Sequence, residues 1–307
     1  MNQLREHAKR AALISGFCLL PVATVWGHGS SGSPGGFQPA EPVSEINDPA
    51  AADGCPIESP DGLSLVIASR RGSGGDNDIW SADRASVDAT WGEPAPLPWP
   101  INGSDDDFCP TPTAGRWLFF VSSRPAECMG GNIYLSRQGL TGAWSEPKLL
   151  PCAPQGPNFN DAVFSPSLVE TPKGTYLFYS SFGERGDHDI YVSRLRRNGE
   201  FGPGRRIDAL SNVADDDRMP NVRAMGHGAY EVVFSSSRAN WGPKDEPAFG
   251  GQDVYRAVSH RLPFRWSKPV NLGPNVNTAS SETRSTLSED GKRLYFGRDG
   301  EIYVSER

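Results

Sequence analysis

Carboxylates stand out first among the residues able to do chemistry. Asp105-Asp106-Asp107 and Asp215-Asp216-Asp217 are acidic runs, and Asn160-Asp161 and Ser281-Glu282 occupy comparable places. Hydrolysis of a glycosidic bond needs a carboxylic acid and a carboxylate facing one another, roles that Asp107, Asp161, Asp217 and Glu282 would fill. Oxygen ligation of Ca²⁺ is a second chemistry of such runs, but they lack the spacing of a 12-residue calcium loop. Arginines recur as well, in Ser69-Arg70, Ser123-Arg124, Ser237-Arg238 and Gly297-Arg298. Acid and arginine that recur together read as bidentate ion pairs stitching a repeated structure. Breaks in that pattern are therefore the more informative positions. Ser181-Phe182 replaces the Ser-Arg ending and is followed by His188, Trp241 sits in a long insertion, and Arg223 and Arg284 stand where other copies have Thr or Val. Aromatics beside charges suit a small polar or carbohydrate-like ligand, so the binding candidates are Arg124, His188, Arg223, Arg238, Trp241, Arg284 and Arg298. No HExxH, P-loop or GxSxG motif occurs, and no His/Cys cluster has metal spacing, so neither metal nor cofactor is expected.

A repeat must bring these side chains to one face. Asp78-Ile79-Trp80, Asn132-Ile133-Tyr134, Asp189-Ile190-Tyr191, Asp253-Val254-Tyr255 and Glu301-Ile302-Tyr303 share one signature at spacings of 54, 57, 64 and 48 residues. Periods of this size mark repeat architectures. The copies also share a turn, such as Ser59-Pro60-Asp61-Gly62 or Ser288-Glu289-Asp290-Gly291, a short aromatic and β-branched run, and, in the first four, an aromatic-Pro segment such as Trp144-Ser145-Glu146-Pro147. Those parts read as four antiparallel strands, with proline on the outer edge where no neighbour needs its N–H. The reading is an all-β, five-bladed β-propeller of four-stranded antiparallel blades. Its blades are expected at about 53–98, 107–150, 161–207, 217–272 and 282–307. The fifth copy ends after three strands, and the proline-bearing stretch 37–47 stands alone before the first. An N-terminal strand is thus expected to complete the last blade and close the ring.

Residues 1–27 carry a basic start and a 15-residue apolar stretch, too short for a bilayer that needs about 20, and read as a secretory signal. Residues 28–36 are almost all Gly, Ser and Pro and read as a flexible leader. A periplasmic or secreted location is therefore expected, with no membrane span. Cys55, Cys109, Cys128 and Cys152 remain beyond the signal and suggest two disulfides, Cys128–Cys152 and, as a second pair, Cys55–Cys109. A formal charge of -7 argues against nucleic-acid and anionic-membrane partners.

The Ser-Pro-Asp-Gly turn, the Ser-Arg strand end, the Asp-Ile-Tyr signature and the Trp-Ser-x-Pro strand together resemble the WD40-like PD40 repeat of TolB-type propellers, over about residues 37–307. That resemblance implies the propeller fold; such blades occur in binding proteins, assembly factors and beside peptidase domains. Repeated polar groups without a catalytic motif point to an exported, non-catalytic protein that binds a small ligand, glycan or protein on its loop face. The alternative is a carbohydrate-active enzyme of glycoside hydrolase type, using the axial carboxylates.

Overall fold

The computed structural model describes residues 35–72, 74–159, 162–183, 186–212, 215–238 and 248–307. The signal segment, Asp161 and Trp241 lie outside the described residues. Strand 41–42 is β1, and the first blade comprises β2 (Asp53–Glu58), β3 (Ser64–Ser69), β4 (Asp78–Asp83) and β5 (Ala95–Pro96). The second has β6 (Asp107–Pro112), β7 (Trp117–Ser122), β8 (Asn132–Arg137) and β9 (Lys148–Leu149). The third has β10 (Val163–Thr171), β11 (Gly174–Phe182), β12 (His188–Arg194) and β13 (Arg205–Arg206). The fourth has β14 (Asp217–Gly226), β15 (Ala229–Ser236), β16 (Asp253–Ser259) and β17 (Val270–Asn271). The fifth joins β18 (Glu282–Leu287), β19 (Arg293–Arg298) and β20 (Glu301–Glu306) to β1. The protein is thus a five-bladed propeller of antiparallel four-stranded sheets, and the innermost strands adjoin in the order β2, β6, β10, β14, β18 and back to β2.

Local chemistry explains the blades. In Ser59-Pro60-Asp61-Gly62 and Ser288-Glu289-Asp290-Gly291 the serine Oγ donates to the aspartate at 2.6 Å in both. Gly62 and Gly291 then turn back with φ of 75° and 73°, a conformation open to glycine. The aliphatic runs of β3, β7, β11, β15 and β19 are buried on both faces, because each sheet lies between two others. Five apolar clusters result, one between each pair of neighbouring blades.

The signature isoleucine is held in the same way in every blade. Its N–H reaches a side-chain oxygen from the next connection: Ile79 to Asn102 (2.9 Å), Ile133 to Asn158 (2.8 Å), Ile190 to Ser211 (2.8 Å) and Val254 to Asn277 (2.7 Å). In the last blade the oxygen comes from Asn47 of the N-terminal segment, 2.7 Å from Ile302 N. Glu41 pairs with Val304 and Pro42 with Tyr303, Val43 N–H donates to Ile302, and Phe37 lies in the cluster between blades four and five. The leading segment therefore closes the ring.

Candidate functional site

The connections into the innermost strands and the loops between second and third strands share one face, the loop face. On it, four blades repeat one arrangement. Arg71 meets Asp53 at 2.7 Å, Arg124 meets Asp107 at 2.7 Å, Arg298 meets Glu282 at 2.8 Å, and Arg238 meets Asp217. Each guanidinium also donates to a backbone carbonyl of the incoming connection: Ile46, Ile101, Leu210 or Val276. The carboxylates take further N–H donors from that connection, Asp48, Gly103, Asn212 and Thr278. Each arginine moreover lies over the signature aromatic of its own blade, Trp80, Tyr134, Tyr255 or Tyr303, at 4.4–5.7 Å from the ring centre. The signature, the acid and the arginine form one clamp that fastens a connection to its blade.

This arrangement corrects several expectations. Asp107, Asp217 and Glu282 have no exposed side-chain surface. Burial pushes their carboxyls up, opposed by the arginine and N–H donors that hold each of them in its clamp. Arg124, Arg238 and Arg298 are spent in the clamps rather than facing a ligand. The first-blade partner is Arg71, not Arg70, because Arg71 has the position two residues past the strand pair that Arg124 and Arg238 also have. Arg223 points away from this face; it binds Glu231 at 2.7 Å beside a cavity of about 450 Å³ at the opposite end of the axis. Arg284 lies in the axis itself. Cys128 and Cys152 form a disulfide with Cα atoms 5.7 Å apart, whereas Cys55 and Cys109 are free thiols.

Blade three breaks the pattern on both sides of the pair. Val163 occupies the acid's register position, opposite Ser181, and Gly183 stands where the arginine would be. Phe159 fills the place over the ring, 5.0 Å from Tyr191. The described residues of this blade form no clamp, and a niche lies around His188. Its ring lies 4.1 Å from Phe182 and 5.2 Å from Phe164. His188 Nδ1 is 2.7 Å from Asp216 Oδ1, an oxygen that also accepts the His188 N–H. The other carboxylate oxygen of Asp216 binds Arg218 at 2.5 Å and the Gln252 amide at 3.0 Å. Burial would raise the Asp216 carboxyl, but His188 and Arg218 hold it below its ordinary value, so it is ionised at neutral pH. An ionised Asp216 accepts a hydrogen bond from His188 Nδ1–H, which leaves the lone pair on Nε2, an atom buried without a partner among the described residues.

Sequence reasoning singled out His188 but missed Asp216 and Trp99. Asp216 was hidden among three consecutive acids, of which register buries one. Trp99, 71% exposed on the connection into blade two, sits near Gly103 on the loop face. Its flanking prolines, Pro98 and Pro100, were the available signal.

No family model matches the chain, and no curated protein does. Solved structures resemble it at low identity. An endo-arabinase from Bacteroides thetaiotaomicron superposes with a TM-score of 0.57 at 16% identity, covering 88% of this chain and 97% of that one. The catalytic domain of the Coprinopsis cinerea GH62 alpha-L-arabinofuranosidase gives 0.56 at 11%, covering 89% and 98%. An alpha-L-arabinofuranosidase from Podospora anserina, solved with cellotriose, gives 0.56 at 12%, covering 90% and 99%. At these identities the likeness is one of fold: the five-bladed propeller seen in glycoside hydrolases. It overturns the resemblance to the PD40 repeat of TolB-type proteins, and with it the reading as a non-catalytic TolB-like binding module.

Proposed function

We propose that the chain is an exported carbohydrate-active propeller of glycoside hydrolase type, acting on a pentose-containing glycan laid across the loop face. The similar folds belong to arabinanases and arabinofuranosidases, one of them solved with a bound glucan oligomer. The observation that carries the proposal is the His188–Asp216 pair beside the one blade whose described residues form no acid–arginine clamp. A histidine oriented by an ionised carboxylate is a proton carrier. The His188 imidazolium, stabilised by Asp216, donates its Nε2 proton to the leaving oxygen as water adds to the anomeric carbon and the glycosidic C–O bond breaks, and the proton lost by that water restores the imidazolium. Phe164 and Phe182 supply apolar faces for a sugar ring, and Trp99 offers a further stacking surface. The cavity at the opposite end of the axis is less suited, since its buried Glu58 is bound by Arg84 and Arg293 and its other acids, Glu170 and Glu289, are exposed at hairpin ends.

The mature protein should hydrolyse an aryl α-L-arabinofuranoside or linear arabinan. His188→Ala and Asp216→Asn should lower kcat by about 100-fold or more with little change in melting temperature. Absence of turnover and of arabinan binding in the parent protein, or full activity in both variants, would defeat the proposal.

A further inference from the structure

Each innermost strand carries one residue with a left-handed backbone at the same place, where its register shifts. These are Cys55, Cys109, Ser165, Met219 and Arg284, with φ between 48° and 60°. The repetition draws five side chains to one level of the axis. Cys55 and Cys109 hold this position in neighbouring blades, and Ser165 Oγ donates to Cys109 Sγ at 3.4 Å. Across the ring, Met219 Sδ lies 3.1 Å from the backbone nitrogen of Arg284. The Arg284 side chain starts in blade five and ends in blades two and three, its Nη2 3.0 Å from both the Pro110 carbonyl and Thr111 Oγ1. It therefore crosses the axis and floors the ring. Arg284 is 1% exposed, and its Nε and Nη1 have no hydrogen-bond partner.

We propose that this ring binds one soft monovalent cation, Cu(I) in type, through the thiolates of Cys55 and Cys109 with the Met219 thioether as a further donor. Three of the five side chains bring sulfur, and thiolate with thioether selects Cu(I) over hard ions. No carboxylate or imidazole belongs to the ring. A univalent ion between two thiolates has a net charge of minus one, which the fixed charge of Arg284 balances. A Cys55–Cys109 disulfide would instead leave that buried cation without an anion. There is open space beside Cys55: its neighbour is Gly54, where the other blades have Phe108, Phe164, Arg218 and Thr283, and a Cβ built on Gly54 meets nothing within 4 Å. Cys55 is half-buried and Cys109 buried, so the ion enters on the Cys55 side. Loading releases the thiol protons to solvent and changes no oxidation state.

Competition against bicinchoninate under argon tests this. The full mature chain should withdraw one equivalent of Cu(I), with a sulfur-only set of ligands by X-ray absorption. Cys55→Ser and Cys109→Ser should each weaken binding by about 100-fold, and Met219→Leu by about 10-fold, with melting curves to show that they fold. If either serine variant fails to fold, the ligand set seen in the parent protein decides. Four outcomes would each overturn the site: no Cu(I) withdrawn, equal withdrawal by folded Cys109→Ser, nitrogen or oxygen ligands in the spectrum, or a Cys55–Cys109 bridge in the freshly isolated protein.

Discussion

Arg238 shows how much one side chain does in this molecule. It is 1% exposed, bound to Asp217 and the Leu210 carbonyl, and stacked over Phe234 and Tyr255. Removing it leaves a buried carboxylate without its cation. Arg238→Met should cost about 3–5 kcal/mol in chemical denaturation, whereas removing both partners in Arg238→Met with Asp217→Leu should recover much of that loss. A loss below about 1 kcal/mol would show that the clamp is not structural. Glu231 makes the complementary case. Burial alone would raise its carboxyl, but Arg307 and Arg256 hold it down to about 2. A folded value below the unfolded one means that the stabilisation is full above about pH 4.5 and fades as pH falls toward 2, amounting to ~3 kcal/mol. Denaturation across that range should therefore lose less stability in Glu231→Gln than in the parent chain, although the variant starts lower at neutral pH.

At the scale of elements, the N-terminal segment is the part with the largest effect for its length. Strand β1 has two residues, yet the segment around it contributes Phe37 to one inter-blade cluster and Val43 and Ile46 to the next. Its cost of removal is thus one of packing more than of strand pairing. Phe37→Ala should destabilise by about 3–5 kcal/mol. Asn47→Ala, which orphans the Ile302 N–H and leaves its carbonyl with Val43 N–H alone, should cost about 1–3 kcal/mol. Hydrogen exchange should locate both effects in β20; unchanged protection of 301–306 in Phe37→Ala would mean that the ring does not depend on this latch. These elements were legible in sequence because their signals are local: an Asp-Gly turn, a β-branched run, a proline edge, and a proline-bearing stretch left over at the start. Blade three was legible only in half. The loss of Ser-Arg was visible, but the loss of its acid partner was not, because Asp161 lies two residues from the register position that Val163 holds.

On the scale of the whole molecule, closure gives five nearly equivalent positions at every level of the axis, and both proposed sites lie where equivalence fails. One failure is the niche of His188; another is the Cys55, Cys109, Met219 and Arg284 ring. Neither can be assembled by scanning the chain, since His188 and Asp216 lie 28 residues apart and the ring draws one residue from every blade, all meeting through register and not through spacing.

Fold, blade count and ring closure followed from the sequence alone, because turn chemistry and hydrophobic period act over a few residues and repeat five times. The division of acids into buried clamps and the partly exposed Asp216 beside His188 was decided by tertiary structure. Burial, register and the partner across a loop determine whether a carboxylate is buried under a guanidinium or, like Asp216, shared between an arginine and a histidine, and none of these is a property of the residue itself.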